Sequence, residues 1–128
     1  MKPLTHEWVE KAEGDFLVAS QIMRRKKQRV FDAACFHCQQ TVEKYFKARL
    51  IEEGLSFPKT HDLVELLELL QPVEPLWASY EAAAKKLTEY AVNLRYPGED
   101  ATLAEATLAL KNCKSLRAEV RRSLGLKK

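Results

Sequence analysis

The stretch from Phe31 to Gly54, FDAACFHCQQTVEKYFKARLIEEG, limits what this chain can fold into more than any other. Its apolar residues fall at Phe31, Ala34, Cys35, Cys38, Val42, Tyr45, Phe46 and Leu50. Steps of three and four place them on one face of an α-helix. No Pro or Gly interrupts the run. Asp32 stands where an N-cap accepts from free backbone N–H groups, and Gly54 stands where a left-handed residue ends a helix. A helix this long with one apolar face must be covered by other apolar faces.

The polar residues beside that face are His37, Gln39, Gln40, Glu43, Lys44 and Lys47. A His followed by two Gln suits a helix–helix contact where side-chain hydrogen bonds are satisfied; plain boundary positions are the simpler reading. His37 and Gln40 lie three apart and share a side, which makes them candidates for a polar contact within a bundle or across a dimer. Lys44 and Lys47 form either a basic strip or a pair of solvated lysines.

The remaining segments supply the cover. A first helix is expected from an N-cap at Thr5 to about Lys27, with Trp8, Ala12, Phe16, Ala19 and Met23 inward. The short turn Gln28–Val30 makes the first two helices antiparallel neighbours. Thr60 is expected to cap a short helix from His61 to about Leu70, closed by Pro72 and Pro75. A fourth helix is expected from Pro75 to Leu94, with Leu76, Tyr80, Ala83, Leu87 and Tyr90 inward. RYPGED, residues 95–100, breaks the chain, and Asp100 is expected to cap a fifth helix ending at Gly125. No period of two persists anywhere. The expected fold is one all-α domain over residues 1–128: an antiparallel up-and-down bundle of four long helices and one short one. Trp77 and Phe57 are left over as candidates for a dimer face.

Composition fits a folded protein, with 46% hydrophobic and 30% charged residues in 128. No window approaches the uncharged apolar run of a membrane span, and MKPLTHEWVEKAEGD is too polar for a secretory leader, so a cytoplasmic location is the default. Cys35 and Cys38 form a C-x-x-C, but inside a helical pattern and without further metal ligands at suitable spacing. With Cys113 they are expected to be buried small side chains, and no metal or cofactor is expected. The net charge of +3 hides segregation. Residues 24–29 read RRKKQR, and the tail from Lys111 carries seven basic residues against one acid; residues 61–90 carry six acids against two lysines. Such asymmetry permits an anionic partner such as a nucleotide, RNA or an acidic protein face. A soluble turn and a frayed C-terminus explain it equally.

Three segments, CFHCQQTVEKYFKA (35–48), FPKTHDLVELL (57–67) and YAVNLRYPGED (90–100), resemble in order and spacing the HEPN domain family (higher eukaryotes and prokaryotes nucleotide-binding). The resemblance covers nearly the whole chain. It implies a helical bundle that commonly forms homodimers, and a minimal prokaryotic member often paired with a small nucleotidyltransferase in a toxin–antitoxin-like system. Nuclease members carry an Arg followed four to six residues later by a His at the dimer cleft; others are proposed to bind nucleotides without catalysis. Arg95 matches the arginine, but no histidine follows His61. A metal-free ribonuclease needs groups to take and give protons, and imidazole is the usual one near neutral pH. Arg95 alone can stabilise phosphate charge.

Arg95 is therefore a candidate phosphate contact, or a cation serving the carbonyls of the preceding helix end. Tyr96 can stack on a base or pack under the turn. His61 can hold its loop or meet a ligand, and Lys59 can meet a phosphate near a helix N-terminus. The expected function is a homodimeric, nucleotide-binding module with no catalytic residue. The alternatives are a metal-independent ribonuclease using Arg95 with a rearranged partner, and a helical interaction protein without a small ligand.

Overall fold

The computed structural model describes residues 1–92 and 96–127. Among these there are five α-helices and no strand: α1 (Pro3–Arg24), α2 (Phe31–Glu52), α3 (Leu63–Leu70), α4 (Glu81–Thr88) and α5 (Leu103–Ser123), with a 3-10 turn, Pro75–Tyr80, leading into α4. The helix from Phe31 is the centre. It packs along α1, crosses α5, and supports α3 and α4. Val42, Tyr45, Phe46 and Leu50 on its apolar face are fully buried. Truncating an aromatic such as Phe46 to Ala would cost about 3–5 kcal/mol, from lost transfer energy plus the cavity left behind.

The stops of α2 and α5 follow the sequence. Gly54 takes φ 72° and Gly125 takes φ 77°. In each case the glycine N–H and the next one both reach back to the helix: Gly54 N to Ile51 O at 3.0 Å with Leu55 N to Leu50 O at 2.9 Å, and Gly125 N to Arg122 O at 3.0 Å with Leu126 N to Arg121 O at 2.8 Å. This is the double hydrogen bond that a left-handed residue after the last turn makes possible. The C-terminal basic segment is thus ordered helix as far as Ser123, not a frayed end.

The starts differ from expectation. α1 begins two residues before Thr5, with Pro3 in its first turn, where a missing N–H costs nothing. Thr5 is buried and donates to Glu52 Oε1 at 2.9 Å. α2 begins at Phe31, so Asp32 lies inside its first turn; its Oδ1 accepts Ala101 N at 2.6 Å and ties the 96–101 loop to the α1–α2 turn. Asp62, not Thr60, caps α3 by accepting from Val64 N and Glu65 N, while the Thr60 hydroxyl donates to Glu65 Oε2. Thr102, not Asp100, caps α5 through a reciprocal capping box with Glu105.

The fourth segment departs most. Instead of one helix from Pro75, the chain makes the 3-10 turn and then eight residues of α4. Leu76, expected inward, is 85% exposed, and Trp77, expected at the surface, is 2% exposed. Trp77 stacks on Phe46 with ring centroids 6.2 Å apart and donates Nε1–H to Glu119 Oε1 at 3.0 Å. The larger apolar side chain takes the core position, and the tighter turn brings it there. The expected end of the helix, Leu94, lies outside the described residues.

No described helix is long and apolar enough to cross a membrane. Cys35, Cys38 and Cys113 are free and buried.

Candidate functional site

The polar side of α2 is a continuous set of compensated charges. Glu43 is its centre. Oε1 accepts from Gln39 Nε2 at 3.0 Å and His61 Nδ1 at 2.9 Å, and Oε2 accepts from Lys47 Nζ at 2.9 Å. Because the acceptor is a carboxylate, the proton on the His61 ring must sit on Nδ1. Burial alone would raise the Glu43 carboxyl; the Gln39, Lys47 and His61 bonds together outweigh it and hold the group below its usual range. Gln39 donates its other amide hydrogen to His61 O at 3.0 Å and accepts from Gln40 Nε2 at 2.7 Å. The loop that carries His61 is therefore pinned to α2 through both its backbone and its ring.

One turn back, Asp15 of α1 accepts from His37 Nδ1 at 2.7 Å and from Lys44 Nζ. The Thr41 hydroxyl donates to His37 O at 2.7 Å. Lys47 is almost enclosed, with its ammonium 5.7 Å from the Trp8 ring centre and 5.8 Å from that of Phe57. Both ring faces favour a cation. Phe57 is thus half-buried as part of this cage.

These distances decide what the strip is. Lys44 and Lys47 do not form a free basic strip, because Asp15 and Glu43 neutralise them. His37 reaches Asp15 on α1, whereas Gln40 bonds its neighbour Gln39 on the same helix, and the two do not bond each other. Among the expected site residues, His61 is the one whose ring is both anchored and open, with 67% of its side chain exposed. Lys59 and Tyr96 are exposed. Arg95 lies outside the described residues. No group of three or more His, Cys, Asp or Glu among the described residues is placed to hold a metal ion.

A second network went unseen in the sequence. Glu13 of α1 receives Arg117 through two bonds, Nε at 2.7 Å and Nη2 at 2.6 Å, and the Tyr45 hydroxyl as well. Arg121 Nη1 donates to the Tyr45 oxygen at 3.0 Å, and the Arg117 guanidinium lies 4.3 Å over Phe16. Burial pushes the Tyr45 phenol up and the Glu13 contact adds to it. Arg49 makes a similar knot with Glu53, Glu74 and Ser123. Apart from the i, i+4 pair Arg49–Glu53, the partners lie 25 to 104 residues apart, so local spacing does not reveal them. Much of the basic tail is therefore structural.

Fold and site define a helical bundle whose central helix carries a self-compensated polar strip and whose loops present an anchored imidazole. The HEPN domain model matches residues 5–123, and the chain belongs to the HEPN family. Among curated proteins nothing matches. Among solved structures, TT1696 from Thermus thermophilus shares the fold with a TM-score of 0.77 at 24% identity, over 92% of this chain and 96% of that one.

Proposed function

We propose that this HEPN domain works as a homodimeric binding module for a nucleotide or a nucleotide-bearing partner, paired with a small nucleotidyltransferase in a toxin–antitoxin-like system. The observation that carries the preference for binding over cleavage is the lack of any histidine after His61. No residue after Arg95 in the sequence carries an imidazole that could shuttle a proton. The proposed ligand contacts are Arg95 and Lys59 for phosphate, Tyr96 for a base, and the outward ring of His61. His37 and Lys44 fix α1 against α2 through Asp15, and Lys47 holds Glu43, which anchors the His61 ring.

Calorimetric titration with ATP and GTP is expected to give a binding isotherm for at least one nucleotide, weakened by Arg95→Ala. Silence toward both at millimolar ligand would leave a pure interaction protein. Light scattering is expected to give about twice the 14.7 kDa chain mass. A monomer would remove the shared cleft.

One observation favours the ribonuclease reading. A carboxylate on Nδ1 fixes an imidazole with its other nitrogen free to accept a proton, and Glu43 does this for the exposed ring of His61. RNA cleavage by the purified protein, lost in both Arg95→Ala and His61→Ala, would establish that reading over binding alone.

A further inference from the structure

Between the C-terminal end of α1 and the outer stripe of α5 lies an open groove of about 540 Å³. Met23, Leu103 and Leu110 give it an apolar floor; Arg29, Lys111 and Lys114 give it charge; and Thr107 and Ser115 contribute hydroxyls. No carboxylate is among the described residues that line it. The α5 members follow from spacing, since Leu103, Thr107, Leu110, Lys111 and Lys114 fall on one helical side.

The cations of this groove are unlike the others on α5. Arg117 and Arg121 meet Glu13, and Arg122 meets Glu119. No such ion pair holds Arg29, Lys111 or Lys114 among the described residues. The Arg29 guanidinium lies 5.4 Å from the centre of the Phe31 ring, a contact that positions its head without supplying a compensating carboxylate. Beyond the lip, Arg24, Arg25, Lys26 and Lys27 are all exposed, and Arg25 bonds only the Gln28 amide.

We infer that this groove binds the phosphodiester backbone of a single-stranded nucleic acid. Solubility does not require cations from two elements some eighty residues apart to converge over an apolar floor. Their mutual repulsion is relieved when a polyanion binds, because its phosphates neutralise them while its own condensed counterions are released to solution. No aromatic ring lines the groove and no buried polar side chain points into it, so nothing there selects a base. The contact is with phosphate and sugar, tolerant of sequence, with the floor accepting ribose and base edges. None of these residues belongs to the proposed nucleotide contacts.

The test is fluorescence anisotropy with labelled oligouridylate and oligothymidylate of about 12 nucleotides. Full-length protein is titrated between roughly 50 and 200 mM salt. Wild type is expected to bind both, with affinity falling as salt rises. Lys111→Ala/Lys114→Ala, at exposed positions, is expected to weaken binding of both oligonucleotides alike. It should also flatten the slope of log affinity against log salt by about 1.4, at roughly 0.7 for each phosphate that is no longer neutralised. Lys11→Ala/Lys85→Ala removes the same net charge elsewhere and is expected to leave that slope unchanged. RNA preference abolished by Thr107→Ala/Ser115→Ala would identify RNA as the source of the backbone, and equal affinity would identify the phosphodiester alone. No binding at the lowest salt, or an equal effect of the two double variants, overturns the inference. Calorimetric silence toward ATP and GTP would defeat the nucleotide reading and leave this one standing.

Discussion

At the scale of single residues, the Glu43–Lys47 pair shows how an ordinary surface pattern becomes an interior one. The i, i+4 spacing is plain in the sequence and usually marks an exposed pair worth a few tenths of a kcal/mol. Here the side chains are 5% and 8% exposed. Removing one partner strands the other's charge in a poorly solvated place, which costs about 3–5 kcal/mol, while replacing both with apolar groups of similar volume is close to neutral. Glu43→Leu is therefore expected to lower the urea unfolding free energy by that amount, and Glu43→Leu/Lys47→Met to recover most of it. A double variant as unstable as the single one would show that the pair is not coupled. The sequence hid this burial because the cover over Lys47 comes from Trp8 on α1 and Phe57 in the loop before α3. Helical spacing reports which residues share a side, not what lands on that side. The same holds for His37, whose partner Asp15 is 22 residues away.

At the scale of elements, periodicity identified α1, α2, α3 and α5 and erred mainly at their first turns. Several Thr and Asp residues near each start offer an acceptor. Which one caps depends on where the preceding loop is tethered, as Asp32 tethers Ala101 and Thr60 tethers Glu65. The segment after Pro75 misled for a different reason. Two registers were available, one burying Leu76 and one burying Trp77, and the contact with Phe46 decides between them. α1 also carries an internal misfit. Gly14 sits inside the helix without a positive φ, and an added Cβ would meet nothing within 4 Å. Gly14→Ala is thus expected to stabilise the protein by about 0.5–1 kcal/mol, because glycine loses more freedom on becoming helical. A thermal melt unchanged or lowered by this substitution would mean that the position serves a contact outside this chain.

At the scale of the whole molecule, carboxylates bridge the helices around the apolar core. Glu13 links α1 to α2 and α5, Glu43 links α2 to the His61 loop, and Glu119 links α5 to Trp77. At Glu13 and Glu43 burial works to raise the carboxyl, yet the hydrogen bonds from Arg117 and Tyr45, and from Gln39, Lys47 and His61, prevail and depress it. The Arg122 bond depresses Glu119 directly. A depressed folded value means that the unfolded chain binds protons first as pH falls. Stability from these groups is present above the unfolded carboxylate value, about 4.3, and is lost as pH drops through the lower folded values. The urea midpoint is therefore expected to be steady from pH 7 to about 5 and to fall steeply below about 4.5. Glu13→Gln/Glu43→Gln should start lower at pH 7 and lose less on acidification, because two of the groups that take up protons on unfolding are gone. Parallel pH curves for the two proteins would mean that the inter-helix carboxylates carry no such linkage and that the bundle is held by its apolar core alone.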